Sequence, residues 1–128
     1  MVLLGIDYGL RKIGLALAGG RLAEPYKVIR YKAEEEAIGQ IVKITALEKV
    51  DKIIVGISEG KSAGEARAFG VKLSGAVDVP VDYADETLST QTAQSLSIEA
   101  GIGRAKRKNL EDAFAAAVML QLFVDENV

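Results

Sequence analysis

The 128-residue chain has no histidine, no cysteine and no tryptophan, and only 2 prolines. Without cysteine it forms no disulfides and offers no thiolate to a metal, which fits a reducing compartment such as the cytoplasm. Without histidine, Ser–His and Cys–His nucleophilic pairs and imidazole zinc sites are excluded. Acid–base work near neutral pH then falls to carboxylates, lysine, tyrosine or bound water. No apolar run approaches the roughly 20 residues of a membrane span. No basic segment precedes the first apolar strand, so neither a membrane anchor nor a signal peptide is expected. Aromatics are few, 3 Phe and 4 Tyr. Extensive base stacking is therefore not expected, and Tyr8 and Tyr83 are the candidates beside the strand ends discussed below. A net charge of -2, from 16 basic and 18 acidic residues, supplies no global field for nucleic acid. Any such contact must come from local basic patches.

What is present reads as one α/β domain over residues 1–128, large enough to bury a core without staples. Val2–Ile6 and Ile13–Ala18 are apolar strands joined by a turn short enough for a hairpin. Glu24–Tyr31 reads as a third strand, with Pro25 marking its start or an edge position. The period then changes. Glu34–Lys49 carries Ala37, Ile38, Ile41, Ile44 and Leu47 on one helical face. Ile53–Ile57 is a β-branched run typical of a buried parallel strand. Ser62–Val77 is helical, with Ala66, Phe69, Gly70 and Leu73 in a stripe and capping-box spacing between Ser62 and Glu65. Val79–Tyr83 is a fifth strand, Leu88–Ala100 a further helix, and Asn109 is placed to cap a last helix running to about Asp125. Strand–helix alternation predicts right-handed parallel crossovers. The expected result is a mixed five-stranded sheet, a three-stranded antiparallel meander plus parallel strands, with helices packed on it.

The acids fall at strand ends. Asp7 ends the first strand, Glu59 follows the fourth, and Asp85 and Glu86 follow the fifth. If those strands are parallel neighbours, their ends share the sheet edge where open α/β sheets place ligands. Asp112, expected in the first turn of the last helix, can approach the same edge. Clustered carboxylates repel one another, and a hard divalent cation such as Mg²⁺ or Mn²⁺ resolves the conflict with oxygen ligands. Two such ions about 4 Å apart suit phosphodiester hydrolysis. Each acid also has a plainer reading. Asp7 suits a strand-to-turn residue bonding its own backbone. Asp85, Glu86 and Asp112 suit helix-start acids favoured by the dipole, and Glu59 a solvated loop acid. Their convergence carries the case. Arg11 and Lys12 follow Asp7, and Arg104, Lys106, Arg107 and Lys108 are expected just before the last helix. Both groups are seats for phosphate, against the alternative of a solvated charge run.

Gly5-Ile6-Asp7-Tyr8-Gly9 followed by Ile13-Gly14-Leu15-Ala16 resembles the opening of the YqgF-type family, pre-16S ribosomal RNA nucleases or Holliday junction resolvase-like proteins of the ribonuclease H superfamily. Ile54-Val55-Gly56 resembles the family's motif on strand four. Asp85-Glu86-Thr87-Leu88-Ser89-Thr90 resembles its Asp-Glu-Arg-Leu-Thr-Thr motif, and Asp112-Ala113-Phe114-Ala115-Ala116 its Asp-x-x-Ala-Ala helix start. The ordered set spans nearly the whole chain. The resemblance implies a ribonuclease H-like fold and a metal-dependent nuclease. Asp7, Glu86 and Asp112 are then its metal-holding catalytic acids, with Glu59 and Asp85 as further candidate ligands. Two departures stand out. Thr87 replaces the motif's arginine, which removes a cation suited to a phosphate or an acid. The segment after strand four, Ser58-Glu59-Gly60-Lys61, is shorter than the family's proline-containing loop.

The expected substrate is structured RNA, with immature ribosomal RNA or its precursor particles as partner and branched DNA as the alternative. The expected state is a monomer or weak dimer. A resolvase cutting two strands symmetrically needs a dimer. A non-catalytic ribosome-associated module is the reading from another class, and retention of all three acids weighs against it. The Gly5–Gly9 turn also resembles the first phosphate loop of actin and the sugar kinases, but those close two related domains around ATP.

Overall fold

The computed structural model describes residues 1–57, 63–85 and 104–126. Its elements are β1 (Leu3–Asp7), β2 (Lys12–Ala18), β3 (Ala23–Arg30), α1 (Glu34–Leu47), β4 (Lys52–Ile57), α2 (Ala63–Ser74), β5 (Val81–Asp85) and α3 (Arg104–Glu126). The strands form one mixed sheet in the order β3-β2-β1-β4-β5. β1 pairs antiparallel with β2, and β2 with β3. β1 pairs parallel with β4, and β4 with β5. The expected meander plus parallel strands is therefore the observed architecture. β3 is an edge strand, which accommodates the missing N–H of Pro25. Opposite it the register slips between Leu15 and Ala16, which pair with Lys27 and Pro25. Tyr26 is thus the extra residue of a bulge.

Side chains alternate across the sheet. One face carries Leu4, Ile6, Ile13, Leu15, Ile53 and Val55, packed with Ala37, Ile41 and Ile44 of α1 and Ala66, Phe69 and Leu73 of α2. The other face carries Ala16, Ala18 and Ile54 beneath Ala116, Met119, Leu120 and Val124 of α3. Small residues on both sides of that second interface let α3 come down onto the strands. A Cβ at Gly5 would lie 3.0 Å from Leu120 Cβ.

Several boundaries differ from expectation. α1 stops at Leu47, not Lys49, because Lys49 takes a left-handed φ of 54° and Val50 N–H donates to Thr45 O instead of continuing the helix. Leu47 is accordingly 73% exposed and not part of the buried face. β5 runs two residues later than expected, so Asp85 ends the strand, paired with Ile57. α3 starts at Arg104, so Asn109 lies inside the helix and not at its cap. Arg104, Lys106, Arg107 and Lys108 belong to the opening turns of that helix, not to a loop before it, and Asp112 lies about two turns in. The long apolar C-terminal half of α3, anchored on the sheet, sustains the helix back to Arg104. The helix expected over residues 88–100, the cap Ser62, and the candidate ligands Glu59 and Glu86 lie outside the described residues.

Candidate active site

Asp7 is the last residue of the central strand. It pairs with Gly14 on β2 and with Gly56 on β4, so a glycine flanks it on each side. Alternation places Asp7 on the same face as Leu3 and Gly5, the face covered by α3. At this point the backbone of α3 comes down directly onto the sheet. A Cβ on Gly14 would overlap the carbonyl of Asp112 and lie 2.8 Å from Ala113 N. Only a residue without a side chain lets the Asp112 backbone rest on β2 directly beside the register partner of Asp7. Two acids separated by 105 positions of sequence are thereby set against one short stretch of strand. Gly14 stood in the opening motif without a role of its own. A glycine inside an otherwise apolar strand is the signal for close backbone approach that identifies it.

Lys12 shares this face. Its Nζ lies 3.0 Å from Asp112 Oδ2, with the two side chains 44% and 27% exposed. Arg11 is exposed in the turn, where its carbonyl accepts a hydrogen bond from Tyr31 N–H. Tyr31 also donates through its hydroxyl to Gly9 O. The residue that follows β3 thus pins the turn between Asp7 and Lys12 at two points.

The opposite face at the same edge is polar but differently employed. Tyr8 packs on Phe69, with ring centroids 4.8 Å apart, and its hydroxyl donates to Glu34 Oε1 at 3.0 Å. Lys72 Nζ donates to Glu34 Oε2 at 2.8 Å. Burial first, then the hydrogen bonds with Tyr31 and Glu34, push the Tyr8 phenol far above its usual range. The Lys72 ammonium holds the Glu34 carboxyl below the usual carboxylate range. Tyr83 packs against Gly70 and under the Arg67 guanidinium, 5.6 Å from the ring centroid. Both tyrosines proposed for base stacking are therefore consumed in packing, on the face away from Asp7 and Asp112.

The donor set suits a hard cation. Asp7 and Asp112 offer oxygen only, and the missing side chain of Gly14 is what lets the Asp112 backbone come down beside Asp7. Among the described residues no three acids gather as a metal group. Asp85 ends the neighbouring parallel strand β5 at this same edge, one residue before Glu86. Among the described residues no helix is long and apolar enough to cross a membrane.

A family model described as RuvX, Holliday junction resolvase, matches residues 1–126. A protein of Pelotomaculum thermopropionicum, named "Putative pre-16S rRNA nuclease", is 39% identical over 98% of this chain and 87% of its own length. One of the same name from an Anaeromyxobacter species is 40% identical over 95% of each. Among solved structures, Thermus thermophilus RuvC in complex with a Holliday junction substrate superposes with a TM-score of 0.69 at 17% identity, over 100% of this chain and 97% of that one. The Fowlpox virus Holliday junction resolvase superposes at 0.63 with 10% identity, over 98% of this chain and 99% of that one. These superpositions give the fold, which is ribonuclease H-like, as the motifs implied. The chain belongs to the RuvX Holliday junction resolvase family, the YqgF-type nuclease family that its motifs resemble.

Proposed function

We propose that this chain is a divalent-metal-dependent endonuclease that hydrolyses phosphodiester bonds in structured RNA, with precursor 16S ribosomal RNA as its substrate in the cytoplasm. Asp7, Glu86 and Asp112 are its metal-holding carboxylates. The observation that carries the reading is the seating of Asp112 on Gly14, the strand partner of Asp7. When bound, Mg²⁺ or Mn²⁺ supplies activation of water and neutralisation of charge on the scissile phosphate. The chain itself provides the rest. Asp7 sits at the end of a strand paired on both sides, so its backbone is fixed where the carboxylate is needed. Asp112 is held by α3. Lys12 sets positive charge at the rim, where a phosphate oxygen is stabilised. Arg11 and the opening turns of α3, with Arg104, Lys106, Arg107 and Lys108, extend the basic surface along the substrate.

A junction-resolving activity is the second reading, favoured by the description of the matching family. It requires a dimer with two centres acting on one branched DNA. A protein that stays monomeric on a junction argues for the RNA reading.

Calorimetric Mn²⁺ titration at high salt, with cleavage assays on precursor 16S RNA, tests the assignment. Asp7→Asn keeps the shape and removes the charge. It should lower cleavage by about 100-fold or more while leaving the thermal transition cooperative. Glu86→Gln should weaken Mn²⁺ binding far more than Glu59→Gln. Full activity in folded Asp7→Asn, or metal loss with Glu59→Gln but not Glu86→Gln, overturns it.

A further inference from the structure

Lys12 and Arg30 are register partners across β2 and β3. Paired residues share a face, and Lys12 lies on the α3 face, so Arg30 lies there too. Two like charges directly opposite one another disfavour the pairing. The protein offsets only one of them. Lys12 reaches Asp112, whereas Arg30 is exposed and makes no ion pair or hydrogen bond through its side chain among the described residues. From strand spacing and rise, the Arg30 Cα lies about 12 Å from that of Asp7, two strands over and two residues toward the turn. The same face carries α3, whose opening turns hold four further basic residues. Tyr31, next in sequence, anchors the chain to the β1–β2 turn through Arg11 and Gly9, so the end of β3 is fixed relative to Lys12.

We infer that Lys12 and Arg30 form a phosphate subsite beside the acidic centre, which takes a backbone phosphate of the bound nucleic acid away from the scissile bond. The inference rests on the nuclease reading and adds to it a contact on the edge strand. A guanidinium is suited to the task because its planar fork binds two phosphate oxygens at once. Lys12 bridges the two regions, touching the acidic centre on one side and facing Arg30 on the other. The subsite recognises backbone, not base, and so positions the strand without reading sequence.

Lys27 provides the control. It lies on the same edge strand and is likewise exposed, but it pairs with Leu15 and so belongs to the opposite face. Binding of a fluorescent RNA hairpin with single-stranded tails is measured in EDTA across a salt series, so that no cleavage occurs. Arg30→Gln should lower the slope of log affinity against log salt by about 0.7, one single-strand phosphate contact. Arg30→Lys should retain most of it, and Lys27→Gln should leave it unchanged. Equal losses for Arg30→Gln and Lys27→Gln would make both residues generic guards of an edge strand and overturn the subsite. An unchanged slope for Arg30→Gln overturns it as well. If the unaltered protein binds neither this RNA nor a branched DNA, the nucleic-acid reading falls, and the subsite with it.

Discussion

Substituting Gly14 by alanine probes the contact on which the site depends. The added Cβ meets backbone, the carbonyl of Asp112 and, at 2.8 Å, the nitrogen of Ala113. No side chain can rotate away. Non-bonded heavy atoms settle at roughly 3.5 Å or more, and the Asp112 carbonyl lies nearer still than the Ala113 nitrogen, so α3 and β2 must part by about 1.5 Å at this point. Overpacking of this kind costs about 1–3 kcal/mol. At this chain length that is a fall in Tm of roughly 3–12 °C. The displacement falls on Asp112 itself, so Mn²⁺ affinity should drop on the order of 10- to 100-fold, the range seen when groups that orient a ligand are disturbed. Gly39→Ala is the matched control. That glycine is exposed within α1, and a Cβ there meets nothing within 4 Å. It should stabilise the protein by about 0.5–1 kcal/mol through helix propensity and leave metal binding alone. Differential scanning calorimetry and Mn²⁺ titration on both variants give the result. A Gly14→Ala protein with unchanged Tm would refute the packing argument. One with lowered Tm but undiminished Mn²⁺ affinity would show that the contact serves packing alone, and Asp112 would lose its place in the centre.

Other perturbations probe the surrounding charges. Lys12→Met removes the cation 3.0 Å from Asp112. It should tighten Mn²⁺ binding by at most about fivefold, since exposed pairs contribute about 0.2–1 kcal/mol, and the gain should vanish at high salt; weaker binding at low salt would contradict this. The Glu34 carboxyl is held below its ordinary value of 4.5 by Lys72, so its contribution to stability is present above pH 4.5 and is lost as pH falls through the lower folded value. Lys72→Met should therefore flatten the acid limb of the urea midpoint against pH, and an unchanged limb would show that this pair does not couple to folding. The Tyr8 phenol is raised above 10.0, so the stability it lends is complete below pH 10 and is lost as pH rises further. Tyr8→Phe should lessen the alkaline loss, and an equal loss in both proteins would place its origin elsewhere.

Local pattern determined much of this protein. The stripe Ala66, Phe69, Gly70 and Leu73 is the buried face of α2, because helical period and burial agree there. The β-branched run of β4 is buried on both faces, as a parallel central strand demands. The placement of Asp7 at the edge shared by β1, β4 and β5 follows from crossover topology, and it was legible in the alternation of strand and helix. The beginning of α3 was not legible. Asn109 is a good cap by residue type, yet the helix runs through it from Arg104, because tertiary anchoring of the later turns outweighs a local preference of about 1 kcal/mol. Leu47 continues the apolar spacing of α1 but lies where the chain is already turning away. The site has the same division. That acids occur at strand ends is written in the sequence. That Asp112 rests on Gly14, that Lys12 faces Arg30, and that Tyr8 spends its hydroxyl on Glu34 are contacts between residues far apart in the chain. No local preference encodes them; they exist once strand register and the descent of α3 onto the sheet have been decided together.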